Sequence, residues 1–300
     1  MDTTNDTEVL SLRNHLDFVD DVQLYSIHGD FVRLLGFTNF SWCKLTEHNA
    51  LSLILKYSTK KVIKHVINNM TSCNHQTDTD GRSLIHYLMI YARYDKLINS
   101  FIEKKHFDLE CIDKSGCRPI HYACKRGSPV TLKYLITKGI DLKCTDNDGK
   151  QPIHYTCKYD DNPEIIQILV NNGADLEYTT NDGSRLIHIA CRLSSLETIK
   201  YLVDSGVDLE CENHIGWRPI HYICHSKSCE FIKYFLTLNI DLYSRTGVDN
   251  YQIEDLVKHR YNLSDKDQDR TLDLIFIIKY INAKFQSGNI NKGDLINMVR

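Results

Sequence analysis

Apolar and polar positions along this chain repeat with a long period. The pair Ile-His recurs at Ile85-His86, Ile120-His121, Ile153-His154, Ile187-His188 and Ile220-His221, with histidines 35, 33, 34 and 33 residues apart. A glycine stands five residues before each one: Gly81, Gly116, Gly149, Gly183 and Gly216. About 20 residues after each comes Asp-Leu: Asp108-Leu109, Asp141-Leu142, Asp175-Leu176, Asp208-Leu209 and Asp241-Leu242. Three landmarks agreeing over five registers define a repeat of 33–35 residues.

One unit, Asp113 to Asp146, shows what the repeat predicts. DKSGCRP is a turn, with Gly116 supplying a positive φ and Pro119 suited to the first turn of a helix. A first helix follows through Ile120, His121, Tyr122, Ala123 and Cys124 and stops near Gly127. A second helix is predicted over Pro129–Lys138, with Leu132, Leu135 and Ile136 as one apolar stripe at i, i+3, i+4 spacing. Gly139 closes it, and IDLKCTD leads out as an extended arm. Helices this short are unstable alone in water, so each pair must bury its stripe on its neighbours.

Segments such as DGKQPIHYTC with PEIIQILVNNGADLE, and GWRPIHYIC with CEFIKYFLTLNIDL, resemble ankyrin repeats. The resemblance covers at least residues 78–243 and implies an all-α fold, an α-solenoid of stacked turn–helix–helix–arm units. Ankyrin repeats are expected at 78–112, 113–145, 146–179, 180–212 and 213–246, with a divergent one at 46–77. Ser52 and Asp255 stand at the histidine position upstream and downstream. Residues 1–45 read as an N-terminal cap or degenerate repeat, and 247–300 as a divergent capping repeat and tail. A separate small domain in 1–45 is the alternative.

Two departures from the family pattern stand out. The threonine whose hydroxyl normally pairs with the histidine is Arg118, Gln151, Arg185 and Arg218 here, so that hydrogen bond must be replaced or lost. The arm asparagine is Glu110, Lys143, Glu177 and Glu210, which argues against asparagine hydroxylation. The abundance of isoleucine, asparagine, lysine and tyrosine, together with RPIHYAC-type turns, also resembles the ankyrin arrays of giant amoebal viruses. That similarity carries no mechanism.

Composition changes this picture little. The 42% hydrophobic and 25% charged residues suit an ordinary folded protein. The net charge of −3 suggests no field steering the chain to nucleic acid or an anionic membrane. The acidic, polar start MDTTNDTEVL has no signal-peptide pattern, and no run reaches the ~18 apolar residues of a membrane helix. Eleven cysteines without a secretory signal read as reduced thiols; an intracellular, cytoplasmic location and a monomer are expected.

The residues that look most like chemistry belong to the repeat. Histidines one repeat apart lie ~10 Å from each other and cannot converge on one zinc at ~2 Å. They are expected to bond backbone groups in the turns and tie neighbouring units together. Cys124, Cys157, Cys191 and Cys224 follow each histidine by three residues, on the inner face of the first helix, and Cys111, Cys144 and Cys211 recur in the arms. Cys117, off this pattern, is expected to be exposed. No phosphate-cradling glycine motif or nucleophile elbow occurs, so no enzyme, cofactor or metal is expected.

The resemblance implies binding to an unidentified protein partner through the concave face and turn tips. The matching positions include Lys114, Ser115, Cys117 and Lys125; Asn147, Asp148, Lys150 and Lys158; Asn181, Asp182, Ser184 and Arg192; and His214, Ile215, Trp217 and His225. Lys125, Lys158 and Arg192 form an expected basic row, suited to an acidic segment or simply solvated. Trp217 is either an anchor at a turn tip or packed on the next arm. A second class of reading is an adaptor that recruits ubiquitin-ligase or signalling machinery through residues 1–45 or 262–300, although neither shows a docking module.

Overall fold

The computed structural model describes residues 50–57, 59–70, 76–157, 162–226, 229–238, 240–241, 244–247, 249–253 and 256. The expected caps at 1–45 and most of 247–300 therefore lie outside the described residues. Two compact units divide at 147/148. The first contains three helix pairs: α1 (Ala50–Tyr57) with α2 (Lys60–Asn69), α3 (Leu84–Tyr91) with α4 (Asp95–Lys105), and α5 (Pro119–Arg126) with α6 (Pro129–Thr137). The second has a 3₁₀ helix, Pro152–Cys157, with α7 (Pro163–Asn171), then α8 (Leu186–Leu193) with α9 (Leu196–Asp204), and α10 (Pro219–Ser226) with α11 (Cys229–Leu236). Among the described residues there is no strand; Arg245 and Gln252 form an isolated bridge. The fold is an all-α ankyrin-type solenoid in each unit.

Local chemistry sets the helix ends. Proline opens α5, α6, α7 and α10, where a missing N–H is harmless. The Ser195 hydroxyl accepts from the Thr198 N–H at 3.4 Å, Asn162 Oδ1 accepts from the Glu164 N–H at 2.9 Å, and Gly127 ends α5 in the left-handed region at φ 73°. One register differs from expectation, because PIHYTC winds as a 3₁₀ helix rather than an α-helix. There the Thr156 hydroxyl donates to the Ile153 carbonyl at 2.7 Å, a local i−3 bond that accompanies the tighter winding.

Packing follows the repeat. In the first unit, the first helices α1, α3 and α5 stack in order, and α4 packs on α6. In the second, the 3₁₀ helix, α8 and α10 stack likewise, with α7 on α9. Leu84, Ile85, Leu88 and Met89 are fully buried in one layer, and Ile120, Cys124, Leu132 and Leu135 in the next. Cys157, Cys191 and Cys224 are equally buried and form no disulfide, serving as small side chains in the packed layers.

The histidines stitch turn to turn. Nδ1 of His121, His154, His188 and His221 accepts the backbone N–H of Arg118, Gln151, Arg185 and Arg218 at 2.9–3.1 Å. The hydroxyl bond is lost in these four repeats while the main-chain bond stays; where Ser83 keeps a hydroxyl, His86 Nδ1 lies 3.1 Å from its backbone nitrogen and 3.0 Å from its Oγ. With Nδ1 accepting, Nε2 is the donor. It reaches the next turn or the arm that leads to it: from His86 to the Cys117 carbonyl of the next repeat at 3.2 Å, from His188 to the carbonyls of Cys211 in its own arm and Trp217 in the next turn at 3.2 and 3.1 Å, and from His221 to that of Ser244 in its own arm at 3.4 Å. Burial pushes His86, His188 and His221 below the usual imidazole range, which favours this neutral tautomer.

The two departures from the family pattern are one device. Arg118, Arg185 and Arg218 each reach back eight residues to the arm glutamate, Glu110, Glu177 or Glu210. Each guanidinium also faces the next arm's aspartate, Asp141, Asp208 or Asp241, at 3.8, 3.2 and 3.3 Å. The same glutamate accepts that aspartate's backbone N–H, at 3.0 Å for Glu177–Asp208 and 2.7 Å for Glu210–Asp241. Arginine and glutamate therefore clamp consecutive arms, and where arginine is replaced by Gln151 the glutamate is replaced by Lys143.

Candidate functional site

Each turn begins with a side chain that pins its own backbone. Asp113 Oδ1 accepts from the N–H groups of Ser115 and Cys117 at 2.8 and 2.9 Å, and Asn213 Oδ1 accepts from Ile215 and Trp217 at 3.2 and 2.9 Å. The following helix answers with a tyrosine: Tyr122 donates to Asp113 Oδ2 at 2.5 Å, and Asn213 Nδ2 donates to the Tyr222 hydroxyl at 2.8 Å. The two residues before the glycine are thereby held outward, and the residue after it is turned in. Lys114 and Ser115 are exposed, as are Asn181 and Asp182, and His214 and Ile215.

This geometry corrects two sequence expectations. Cys117 is 3% exposed, not a surface thiol, because it occupies the inward position after Gly116. Ser184 is 5% exposed for the same reason, after Gly183, and its side chain bonds to Tyr222. Lys150 is half-buried with its ammonium 2.8 Å from Asp148, whose side chain is exposed. Asn147 is exposed and donates to the Lys114 carbonyl at 2.9 Å.

The residues of the expected basic row fall in different parts of the structure. Lys158 lies outside the described residues. Lys125 is half-buried near the end of α5 in the first unit, and Arg192 is exposed near the end of α8 in the second.

The second unit does assemble a cluster. Trp217, the inward residue of its turn, is half-buried, with its indole 4.9 Å from the Tyr222 ring and 5.6 Å from that of His225. It therefore packs along the first helix of its own repeat, a third arrangement beside the tip anchor and the next-arm contact. Its Nε1 is buried with no acceptor among the described residues. Ile215, two residues earlier, is 48% exposed, and His225 is exposed beside the indole. Ser184 and Asn213 hold the Tyr222 hydroxyl from two turns, and Arg192 lies near enough to bear on its charge. Burial raises the Tyr222 phenol, so it stays protonated. Burial works to raise Asp182 too, but hydrogen bonds from Thr180 and Ser184 outweigh it and leave the carboxyl ionised at the rim.

Tyr222 was the residue missed by reading positions singly. Its signal was present in sequence, because a tyrosine follows the histidine wherever Asp or Asn opens the turn: Asp78 with Tyr87, Asp113 with Tyr122, Asp146 with Tyr155, Asn213 with Tyr222. Thr180 stands instead with Ile189.

The cluster is apolar and aromatic with a charged rim, and contains no nucleophile–base pair. Among the described residues no group of three or more His, Cys, Asp or Glu is placed to hold a metal, and no helix is long and apolar enough to cross a membrane. The Cys144 and Cys211 thiols are pushed up to about 12 by burial and stay protonated near neutral pH.

Comparison with known proteins agrees with the geometry. The family model described as Ankyrin repeats (3 copies) matches residues 88–180 and 159–246. No curated protein matches the sequence. Among solved structures, a chain of the complex between a predatory endopeptidase from Bdellovibrio bacteriovorus and its immunity protein is similar. It has 16% identity and a TM-score of 0.53, over 66% of this chain and 98% of that one. At that identity the likeness concerns the fold alone.

Proposed function

The chain belongs to the ankyrin-repeat family, and on that premise we propose that it is a non-catalytic scaffold that binds a protein partner through the inner face and turn tips of its second unit. The observation that carries this reading is Trp217 held between Tyr222 and His225 beside the exposed Ile215. A large, rigid, half-buried aromatic with an apolar neighbour and a charged rim is the make-up of a binding hot spot. Stacking and the hydrogen bonds to Tyr222 fix the platform before binding, so little side-chain entropy remains to be lost.

The partner is read as an intracellular protein meeting a monomeric solenoid. The resemblance of the turns to viral arrays extends this to a partner in an infected host. The bound proteins captured on the wild-type chain from such a cell should be lost on Trp217→Ala. Capture unchanged by that variant, with its melting temperature also unchanged, would remove the reading.

A further inference from the structure

The small net charge conceals a division. Residues 51–147 carry 16 Lys and Arg against nine Asp and Glu, while residues 148–247 carry nine against 14. Residues 1–50 add three Lys and Arg against eight Asp and Glu, so the basic excess belongs to the repeats within 51–147 and not to the N-terminal part of the chain as a whole.

The division is sharpest at one position, the second residue of each second helix. It is Lys61 in α2 and Lys96 in α4, but Glu164 in α7, Glu197 in α9 and Glu230 in α11, with Val130 in α6. A helix N-terminus carries partial positive charge, so glutamate there is favourable and lysine is not. The second unit follows this rule. The first breaks it twice, and Lys60 precedes Lys61 in the first turn of α2 with no acidic residue in that turn. Local stability does not account for these lysines.

They cluster at one edge, formed by the loops that join first to second helices. Lys60, Lys61, Arg93 and Lys96 are exposed there, with Lys64 one turn further along α2. The acidic side chain of this edge, Asp95, is already engaged: Arg126 Nη2 and the Thr131 hydroxyl both donate to its Oδ1 at 2.8 Å. These bonds also tie the third loop to the second. Successive loops of a stack recur at ~10 Å, so three of them span ~20 Å, a length covered by about six residues of extended chain.

We propose that this loop edge of the first unit is a second interaction surface, one that binds an extended acidic segment of a protein. Lysine dominates it, and among the residues whose side chains are described no exposed aromatic accompanies the lysines to stack on bases; Tyr94 is half-buried, with the Arg93 guanidinium 5.7 Å from its ring centroid. The linear order of the loops fits a chain better than a lipid surface. The exposed Val130 at the third loop offers one apolar contact along the same line. This surface stands independently of the Trp217 face.

The test uses the full chain and a fluorescein-labelled poly-glutamate peptide of about ten residues, followed by anisotropy at ~50 mM salt. The wild type is expected to bind, and Lys61→Glu/Lys96→Glu to bind at least about tenfold more weakly while melting at the same temperature or higher. Lys60→Gln/Lys61→Gln is a milder second variant, expected to weaken binding in the same direction. Trp217→Ala should leave the peptide's affinity unchanged, so that loss of one surface is distinguished from loss of the other. Absence of wild-type binding would overturn the proposal, as would equal affinity in the charge variants. Tighter binding of an oligo-dT strand or of phosphatidylserine vesicles at the same salt would assign the edge to phosphate and overturn it too.

Discussion

Arg218 Nη1 lies 2.5 Å from Glu210 Oε2, joining the start of one repeat to the arm of the repeat before it. The same guanidinium faces Glu212 at 2.9 Å and Asp241 at 3.3 Å. The side chains are 21% and 41% exposed, so solvent screens the pair and its worth is discounted to below ~1 kcal/mol. Replacing Glu210 also removes the acceptor for the Asp241 N–H at 2.7 Å. Glu210→Gln keeps an acceptor and drops the charge. It should lower the melting temperature slightly at low salt and not at ~1 M salt, where the wild type has already lost the Coulomb contribution. Equal effects at both salts would assign the loss to packing.

Three of the buried histidines, His86, His188 and His221, give a pH dependence whose sign is fixed. Their folded values lie below the ordinary 6.5, because burial disfavours the imidazolium. Below pH 6.5 the unfolded chain binds protons that the folded chain refuses, so stability rises with pH through this window and is full above it. Thermal melts should show a falling midpoint from pH 7 down to the folded values. His188→Gln should flatten that slope while lowering stability at pH 7, since it replaces the rigid ring that bridges the Arg185 N–H to the Cys211 and Trp217 carbonyls. A slope that survives His86→Gln, His188→Gln and His221→Gln together would place the acid sensitivity elsewhere.

Two glycines separate backbone strain from crowding. Gly183 and Gly139 share nearly the same left-handed φ, 76° and 75°. A Cβ on Gly183 would lie 2.5 Å from the His214 ring and 2.8 Å from its backbone nitrogen, whereas nothing lies within 4 Å of one on Gly139. Gly139→Ala should therefore cost only the left-handed penalty, about 1 kcal/mol. Gly183→Ala should cost ~2 kcal/mol or more, because the His214 N–H bond to the Asp182 carbonyl must also shift. Similar losses at both sites in urea denaturation would contradict this account.

The fold was legible because period, glycine and histidine mark the same register five times, and a stack leaves few other ways to bury the stripes. The histidine ladder was legible for the same reason, since a residue repeated with the turn serves the turn. The Arg–Glu clamp was not, because each substitution was read as a departure at its own position. Their pairing appears only when Arg118 and Glu110, or Arg185 and Glu177, are read together eight residues apart. The burial of Cys117 and Ser184 was hidden for a different reason. Exposure at a turn depends on which way the backbone leaves the glycine, and an Asx bond from Asp113, four residues upstream of Cys117, sets that direction. The gathering of Lys60, Lys61, Arg93 and Lys96 at one edge was hidden behind a near-neutral total, because a sum over the chain carries no position.

Trp217 offers a test that separates holding the fold from binding a partner. Its indole N–H is buried without an acceptor, a burden of roughly 1–3 kcal/mol that phenylalanine would not carry. Against this, the smaller ring loses contact with Tyr222 and His225, which costs a comparable amount. Trp217→Phe should therefore melt within ~1 kcal/mol of the wild type, or above it. If the indole is kept for a partner whose acceptor takes the N–H, the same variant should bind that partner more weakly by ~1 kcal/mol or more. Isothermal titration against the captured partner, paired with thermal melts of both proteins, reads the two effects separately. A variant that binds as tightly as the wild type while unfolding earlier would make Trp217 a packing residue only.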